Sequence, residues 1–218
     1  MPVTKVILIE DHPLFSKGLA QLIDAQSSYE VVGEARNSSE ALDLLEKTSP
    51  DLAVVDLNLG DEDGLSLIKE LKARVADLVI LVLSMHDERY YAERALRAGA
   101  RGYIMKEEAG TKVIDAIKTV MSGKIWLSDT ERERLFDYMT GGNAMKEGKD
   151  WFASVSKLSD RQLQIFTLIG KGLGTVEIAA KLNLSTKTID THKEHIKLKL
   201  HCSSSQELRQ LAIEWVNN

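Results

Sequence analysis

Apolar and polar positions follow two alternating patterns in the front part of the chain. Short runs that are apolar at every position are typical of strands buried on both faces of a parallel sheet. Between them, apolar residues recur at spacings of three and four, which predicts helices with one buried face. Such strands are predicted at residues 6–9, 52–55, 78–83 and 103–105, with a fifth, weaker strand at residues 29–35, and the helices at residues 14–23, 41–45, 65–71, 91–96 and 113–121. This succession of strand–helix units predicts an α/β domain with a five-stranded, parallel, doubly wound sheet.

The rear part of the chain shows only the helical pattern. Helices are predicted at residues 161–169, 176–182, 186–200 and 206–216. Ser185 stands directly before the third of them, where a hydroxyl caps the free backbone N–H groups of a helix start. A short helix, a tight turn and a longer, serine-capped helix form the pattern of a helix-turn-helix. An all-α helix-turn-helix domain is therefore predicted to follow the α/β domain.

The segment between these two parts has the composition of a linker. It contains one polar helix, predicted at residues 128–139 with Ser128 as its cap, and then the glycines Gly141, Gly142 and Gly148 among polar residues. The predicted organisation is an α/β domain at residues 1–122, a linker with a short helix at residues 123–155, and a helix-turn-helix domain at residues 156–218.

Length and composition agree with two ordinary soluble domains. The chain has 218 residues, of which 44% are hydrophobic and 28% charged. The longest apolar runs are far shorter than the roughly 18 residues that span a bilayer. The first residues carry no apolar signal core. We therefore expect a cytoplasmic protein without a membrane partner. Cys202 is the only cysteine, which excludes an intramolecular disulfide and a zinc site built from thiolates.

Charge is distributed unevenly between the predicted domains. Acidic residues outnumber basic ones in residues 1–124, whereas basic residues are in slight excess in residues 150–218. An acidic front part suits a site for a cation, and a mildly basic rear part suits a polyanion.

Charged and hydroxyl residues stand where four of the predicted strands end. They are Glu10, Asp11, Asp56, Ser84 and Lys106. In open parallel sheets, ligands bind beyond the carboxyl ends of the strands. A carboxylate or a lysine at one strand end also marks the point where a strand reaches solvent. Because the pattern recurs at four ends, we favour one shared pocket.

Residues 1–122 resemble a receiver domain, and residues 156–216 resemble the LuxR-type helix-turn-helix. The second resemblance rests on the motifs at residues 158–162, 169–173, 177–179, 184–189 and 199–200. Together they resemble the NarL/FixJ subfamily of two-component response regulators over nearly the whole chain. The resemblance implies a flavodoxin-like sheet and phosphorylation by a sensor histidine kinase. It also implies regulated binding to double-stranded DNA, control of transcription, and a homodimer when phosphorylated.

The resemblance also implies the roles of the strand-end residues. Asp56 is the expected phosphoacceptor, assisted by Ser84 and Lys106, which would contact the phosphoryl oxygens. Mg²⁺ or Mn²⁺ would be held by Glu10, Asp11, Asp56 and the backbone carbonyl of Asn58, with Glu10 possible through a water. Ser84 and Tyr103 are the expected switch residues, although Tyr103 could also be a tyrosine at the core edge. A carboxylate repels a phosphoryl group unless cations neutralise the charge.

The loop after the phosphoacceptor candidate departs from the family. Relatives usually have Pro and then Gly where this chain has Gly60 and Asp61. Proline would stiffen the loop, so Gly60 is expected to loosen it. The additional acids at Asp61 and Glu62 are expected to alter kinase docking or metal affinity.

The exposed face of the predicted helix 186–200 supplies the candidates for DNA contact. The candidates for phosphates are Lys187, Lys193 and Lys197, and those for base edges are Thr188, Asp190, Thr191 and Glu194. Relatives often have a basic residue at the position of Asp190 and arginine near residues 203–205, where this chain has serines. Both departures predict modest affinity. His192 lies on the apolar face and is expected to pack rather than contact DNA.

Two other functions compete with this interpretation. The recognition face is poor in positive charge, so the output could be a protein–protein contact; salt-dependent binding to duplex DNA would separate the two. A small phosphatase with an aspartyl-phosphate intermediate would need its nucleophile at the end of the first strand and a second Asp two residues later. The run from Glu10 to Pro13 does not fit that requirement. The chain is therefore not expected to be an enzyme.

Overall fold

The computed structural model describes residues 3–60, 62–140, 155 and 157–217. Contacts between residues divide the chain into two compact units, Met1–Thr140 and Gly141–Asn218. The helix predicted in the linker falls in the first unit by its contacts. The domain and linker boundaries expected from the sequence stay a prediction.

A five-stranded sheet forms the centre of the first unit. Its strands are β1 (Thr4–Ile9), β2 (Tyr29–Ala35), β3 (Leu52–Val55), β6 (Val79–Ser84) and β7 (Gly102–Met105). Their order is β2-β1-β3-β6-β7, and every neighbouring pair is parallel. This order reverses direction between β1 and β3, which is where ligands bind in doubly wound sheets. The predicted fold class is confirmed.

Helices cover both faces of this sheet. They are α1 (Pro13–Asp24), α2 (Ser38–Thr48), α3 (Gly64–Arg74), α4 (Glu88–Ala98) and α5 (Ala109–Met121). Alternate strand residues such as Val6 and Leu8 form one hydrophobic cluster with residues of α1 and α5. Ile7 and Ile9, which point to the opposite face, are equally buried. Burial on both faces explains why residues 6–9 and 52–55 are apolar at every position, whereas β2 at the edge of the sheet carries Glu30 and Glu34.

The loop after β3 forms a small hairpin that the sequence pattern does not predict. Strand β4 (Asn58–Leu59) pairs antiparallel with β5 (Glu62–Asp63). Gly60, in the turn, has a φ of 65°, which a proline cannot adopt. Gly64 follows the hairpin, and a β-carbon there would lie 2.5 Å from the Cα of Leu57. Glycine therefore suits the left-handed turn at Gly60, and at Gly64 it lets the start of α3 approach the backbone of Leu57 closely. Asp61 lies outside the described residues.

The chain stays on the first unit after α5. The backbone of Trp126 makes one parallel bridge with Gly102 at the free edge of β7. Helix α6 (Asp129–Thr140) then packs against α4. The hydroxyl of Ser128 accepts a hydrogen bond from the Glu131 N–H at 3.2 Å, which is the predicted cap. Arg134 pairs with the buried Glu131 at 2.6 Å and donates to the carbonyl of Arg89 at 2.6 Å.

The described part of the second unit is helical. It contains α7 (Asp160–Gly170), α8 (Thr175–Leu182), α9 (Thr186–Leu200) and α10 (Ser205–Asn217). The core contains one or more fully buried side chains from each helix, namely Phe166, Ile178, Ile189, Ile196 and Ala212. Asn183 has a φ of 56°, and Ser185 accepts a hydrogen bond from the Thr188 N–H at 3.0 Å. This left-handed residue and this cap form the tight turn between α8 and α9.

Candidate functional site

The carboxyl ends of three strands bring three charged side chains together in the first unit. Asp56 follows β3, Glu10 follows β1 and Lys106 follows β7. The ammonium Nζ of Lys106 lies 2.6 Å from Glu10 Oε2 and 2.7 Å from Asp56 Oδ2, and these side chains are between 1% and 6% exposed. The ring of Phe15 lies 4.9 Å from the same Nζ. We call Glu10, Asp11, Asp56 and Lys106 the acidic pocket.

Burial and the lysine act in opposite directions on Asp56. Burial raises the pKa of Asp56 to about 6, and the charge and hydrogen bond of Lys106 reduce the rise. Burial lowers the pKa of Lys106, but the attraction of Asp56 and hydrogen bonds to Asp56 and Glu10 outweigh it, so the pKa is raised. Lys106 therefore stays charged, while Asp56 releases its proton near pH 6.

The donor atoms of the pocket suit a divalent cation. Glu10, Asp11, His12 and Asp56 each place one ligand atom within 4.8 Å of the others. The Oδ1 atom of Asp11 is buried, and it accepts no hydrogen bond from the described residues. Carboxylate oxygens are the ligands that Mg²⁺ prefers. Asn58 lies beside them, where its N–H donates to Asp56 Oδ1 at 3.0 Å.

Ser84 and Tyr103 meet at one residue that the sequence pattern did not identify. The Oγ atom of Ser84 accepts a hydrogen bond from the His86 N–H at 3.2 Å, and the Tyr103 hydroxyl donates to the His86 carbonyl at 2.7 Å. The His86 ring stacks on Tyr91 of α4 at 4.5 Å. Tyr103 is buried, which raises its pKa well above the ordinary value. A neutral hydroxyl therefore links the sheet to the loop before α4.

The candidate DNA contacts share helix α9 of the second unit. Lys187, Asp190, Thr191 and Glu194 are exposed, and Thr188, Lys193 and Lys197 are half-buried. Several of them already have partners within the unit. The Thr188 and Ser185 hydroxyls lie 2.7 Å apart, Thr191 donates to the carbonyl of Lys187, and Lys197 pairs with Glu194 at 2.8 Å.

Thr175 at the start of α8 connects two of these candidates, and sequence reasoning missed it. Its Oγ1 atom accepts a hydrogen bond from Lys193 Nζ at 2.5 Å and donates to Asp190 Oδ1 at 3.5 Å. The lysine thereby lies near the carboxylate without pairing with it directly. No spacing rule points to Thr175, because the contact depends on how α8 crosses α9.

The serines before α10 have structural contacts, and the histidine on α9 is partly buried. Ser203 bonds Glu207 Oε2 through its N–H and its hydroxyl, both at 2.6 Å, and Ser204 accepts from the Glu207 N–H. These bonds cap α10. His192 is half-buried, and burial lowers its pKa. It is therefore neutral near pH 7, which agrees with a packed side chain.

The raised pKa of Asp56 leads to a prediction on stability. Because the folded chain holds this proton more tightly than the unfolded chain, the contribution of Asp56 to stability falls as pH rises from about 4 to about 6. Without divalent ions, we expect Asp56→Asn to exceed the wild type in free energy of unfolding by up to about 3 kcal/mol at pH 8. The advantage disappears near pH 4. Urea unfolding of both proteins between pH 4 and pH 8 measures this difference in the free energy of unfolding.

Asp115→Asn on the exposed face of α5 is the control, because Asp115 is 68% exposed. It should show no gain that grows with pH. A gain of Asp56→Asn that is equal at pH 4 and pH 8 would contradict the assigned pKa.

The two units together define a class of protein, in which an α/β receiver fold is joined to a helix-turn-helix. A family model described as response regulator receiver domain matches residues 6–118. A second, described as bacterial regulatory proteins of the luxR family, matches residues 156–212. The chain therefore belongs to the response regulators that carry a receiver domain and a LuxR-type DNA-binding domain.

Similar proteins align over almost the whole chain. Oxygen regulatory protein NreC of Staphylococcus carnosus is 33% identical over 213 residues, 96% of this chain and 97% of NreC. A nitrate/nitrite response regulator protein homolog of Haemophilus influenzae is 31% identical over 200 residues, which cover 92% of this chain and 91% of the homolog. RcsB of Salmonella enterica serovar Typhimurium, solved bound to promoter P1flhDC with phosphomimetic BeF₃⁻, is 26% identical, with a TM-score of 0.61. That similarity covers 97% of this chain and 98% of RcsB.

None of the helices in the described ranges is long and apolar enough to cross a bilayer.

Proposed function

We propose that a sensor histidine kinase phosphorylates this response regulator on Asp56 and thereby controls its binding to specific DNA sequences. The observation that carries the proposal is the burial of Asp56 at the sheet edge, with Lys106 Nζ 2.7 Å from its Oδ2 atom. In the reaction, a carboxylate oxygen of Asp56 forms a bond to phosphorus while the phosphorus–nitrogen bond of the phosphohistidine breaks. We further propose that the protein acts in the cytoplasm and is not an enzyme with a substrate of its own.

The residues of the acidic pocket supply the positive charge that this step requires. When bound, a divalent cation, Mg²⁺ or Mn²⁺, neutralises charge on the phosphoryl oxygens. Glu10, Asp11, Asp56 and the carbonyl of Asn58 would hold it. Lys106 then exchanges its contact with Asp56 Oδ2 for a phosphoryl oxygen, so a full positive charge remains at the reacting group.

Ser84 and Tyr103 transmit the change to the surface. A phosphoryl group on Asp56 presents new acceptor oxygens, to which the Ser84 hydroxyl donates. Ser84 now accepts a hydrogen bond from the His86 N–H, and Tyr103 donates to the His86 carbonyl. Drawing Ser84 inward therefore displaces the backbone of His86, and Tyr103 moves with it. The loop before α4 is the element whose position depends on phosphorylation.

Helix α9 is the proposed reader of double-stranded DNA. Lys187, Lys193 and Lys197 would contact phosphates, and Thr188, Asp190, Thr191 and Glu194 would face base edges. The promoter-bound structure of RcsB supports this output. Phosphorylation is proposed to produce a homodimer whose two α9 helices read related half-sites, with α10 as the candidate pairing surface in the second unit.

Binding to duplex DNA tests this output against a protein–protein output. We expect the phosphorylated chain to select a sequence from genomic fragments as a dimer, with affinity that falls steeply as salt rises. Footprinting and sedimentation with and without a small phosphodonor measure both properties. An unchanged monomer without salt-dependent affinity for any duplex would favour the protein–protein alternative.

Asp190 leads to a specific prediction on sequence preference. A carboxylate in the major groove is repelled by phosphates and is rewarded by the cytosine amino group. We therefore expect a cytosine preference opposite Asp190 or Glu194, worth roughly 1–3 kcal/mol. Asp190→Ala should relax this preference at one position and raise non-specific affinity. Selection of binding sites from a random pool measures the change.

Lys193→Ala is the matched comparison on the same helix face. It should weaken binding to every sequence alike and lower the slope of log affinity against log salt by about one. Identical selected sites for the wild type and Asp190→Ala would show that Asp190 serves only the contact with Thr175.

A further inference from the structure

We propose that Thr175 is a positioning residue of the DNA-binding surface, because its hydroxyl keeps the ammonium group of Lys193 apart from Asp190 and available to a DNA phosphate. The inference rests on the proposed reading of DNA by α9 and adds a residue of α8 to it. Thr175 acts here through another side chain and needs no contact of its own with DNA.

Asp190 and Lys193 have the spacing of a direct ion pair. Residues three apart in a helix are neighbours on its surface, where opposite charges attract each other. The same two residue types at the same spacing, Asp115 and Lys118 of α5, pair directly at 3.4 Å. Asp190 and Lys193, which both lie in the described ranges, are instead joined through Thr175. A direct pair would neutralise the lysine on the surface that is proposed to bind DNA.

The Thr175 hydroxyl lies between the two charged groups. Its Oγ1 atom accepts a hydrogen bond from Lys193 Nζ at 2.5 Å and donates to Asp190 Oδ1 at 3.5 Å. A hydroxyl has one proton to donate and lone pairs that accept, so it makes both bonds at once. The bond from the charged ammonium is the shorter and the stronger one. Thr175 therefore holds Lys193 firmly, and further N–H donors of the ammonium group point elsewhere, where a phosphate can accept them.

The packing of α8 on α9 fixes the position of this hydroxyl. Thr175 is the first residue of α8, and the N–H of Gly174 before it donates to Glu177 Oε2 at 2.7 Å, which closes the helix start. Ile178 of α8 and Ile189 of α9 are fully buried in the core of the unit. Thr175 is half-buried and β-branched, so its side chain has few rotamers. The hydroxyl is thus in place before DNA binds.

Loss of the hydroxyl should close the ion pair. Valine has the shape of threonine but offers no acceptor, so in Thr175→Val we expect the ammonium of Lys193 to turn to Asp190. Glu194 and Lys197 of the same helix already form such a direct pair, at 2.8 Å. The lysine would then no longer bind a DNA phosphate.

The salt dependence of DNA binding separates this role from a direct contact of Thr175 with DNA. Each lysine that neutralises a phosphate releases counterions, and the slope of log affinity against log salt counts these contacts. A neutral hydroxyl that bound a phosphate itself would add affinity without adding to the slope. A change in slope on loss of the Thr175 hydroxyl therefore reports on the lysine.

Binding of the phosphorylated full chain to the duplex that the wild type selects from a random pool tests the proposal. We expect Thr175→Val to lower the slope by about one, which is the loss of one phosphate contact. Thr175→Ser retains the hydroxyl and should keep the slope of the wild type. Thr111→Val removes a threonine hydroxyl from α5 that donates to the carbonyl of Glu108 at 3.1 Å, and it should also keep the slope.

A double variant shows whether the effect passes through Asp190. In the Asp190→Ala background, Lys193 has no carboxylate at this position with which to pair. Adding Thr175→Val to Asp190→Ala should therefore leave the slope unchanged, although the same substitution lowers it in the wild type. Such non-additivity is expected of residues that share one network of contacts.

Two results would overturn the proposal. They are a slope of Thr175→Val equal to that of the wild type, and an equal fall in slope on this substitution with and without Asp190. A wild type without salt-dependent affinity for any duplex would overturn the proposed binding to DNA, and this inference with it. Failure of the inference alone is thus distinguishable from failure of the proposed function.

Discussion

Asp56→Asn should take up no phosphoryl group, whereas the wild type should gain the mass of one when incubated with a small phosphodonor and Mg²⁺. The reason is chemical, because an amide cannot form the acyl phosphate that a carboxylate forms. The variant keeps the size of the side chain, and Lys106 keeps its partner Glu10 at 2.6 Å, so the fold persists. Intact-protein mass spectrometry measures the uptake, and the gain in DNA affinity on incubation should vanish with it.

Excess chelator should abolish uptake of the phosphoryl group by the wild type. Without a divalent cation, the buried carboxylates repel the phosphodonor. Asp115→Asn, an exposed aspartate of α5 that pairs with Lys118 at 3.4 Å, should label like the wild type. Undiminished labelling of Asp56→Asn would place the acceptor elsewhere.

Lys106→Met should destabilise the first unit by about 3 kcal/mol at pH 8 without divalent ions. Lys106 is the cation between Glu10 and Asp56, and all three side chains are at most 6% exposed. Its removal leaves two buried carboxylates without a positive charge. Protonation of one of them limits the cost. Urea unfolding of the chain, followed at the transition of the α/β unit, measures the change.

Divalent cations should reverse part of this loss. An ion that binds the folded state stabilises it by mass action, and the freed carboxylates bind it more tightly than those of the wild type. Mg²⁺ should therefore stabilise Lys106→Met more than the wild type. Lys112→Met removes an exposed lysine of α5 that pairs with Glu108, and it should leave the free energy of unfolding nearly unchanged. Equal effects of the two substitutions would refute the buried role of Lys106.

Much of the fold could be predicted because the burial of each segment is visible in that segment's own pattern of apolar residues. Helices cover both faces of the sheet, so its inner strands contain runs that are apolar at every position, such as residues 52–55. The serine caps of α6 and α9 are equally local, because a cap contacts a backbone N–H within its own turn. The hairpin at Asn58–Leu59 could not be predicted, since two-residue strands carry no periodic signal.

Part of the candidate site could be predicted for a topological reason. Parallel strands end at one edge of a sheet, so residues that follow them must be neighbours, and the structure brings Glu10, Asp56 and Lys106 within hydrogen-bonding distance. Residues whose side chains reach the site although they do not directly follow a strand were not predicted. His86 and Phe15 are of this kind.

The sequence by itself determined which segments are buried, which chemistry stands at each strand end and how the helix starts are capped, because these depend on neighbours along the chain. Only the tertiary structure decided which partner each charged group has. Lys106 bridges two carboxylates, and Thr175 connects Asp190 with Lys193. Such pairings depend on distances of a few ångströms between elements far apart in sequence. Those distances are set by the packing of the whole unit, which no local pattern encodes.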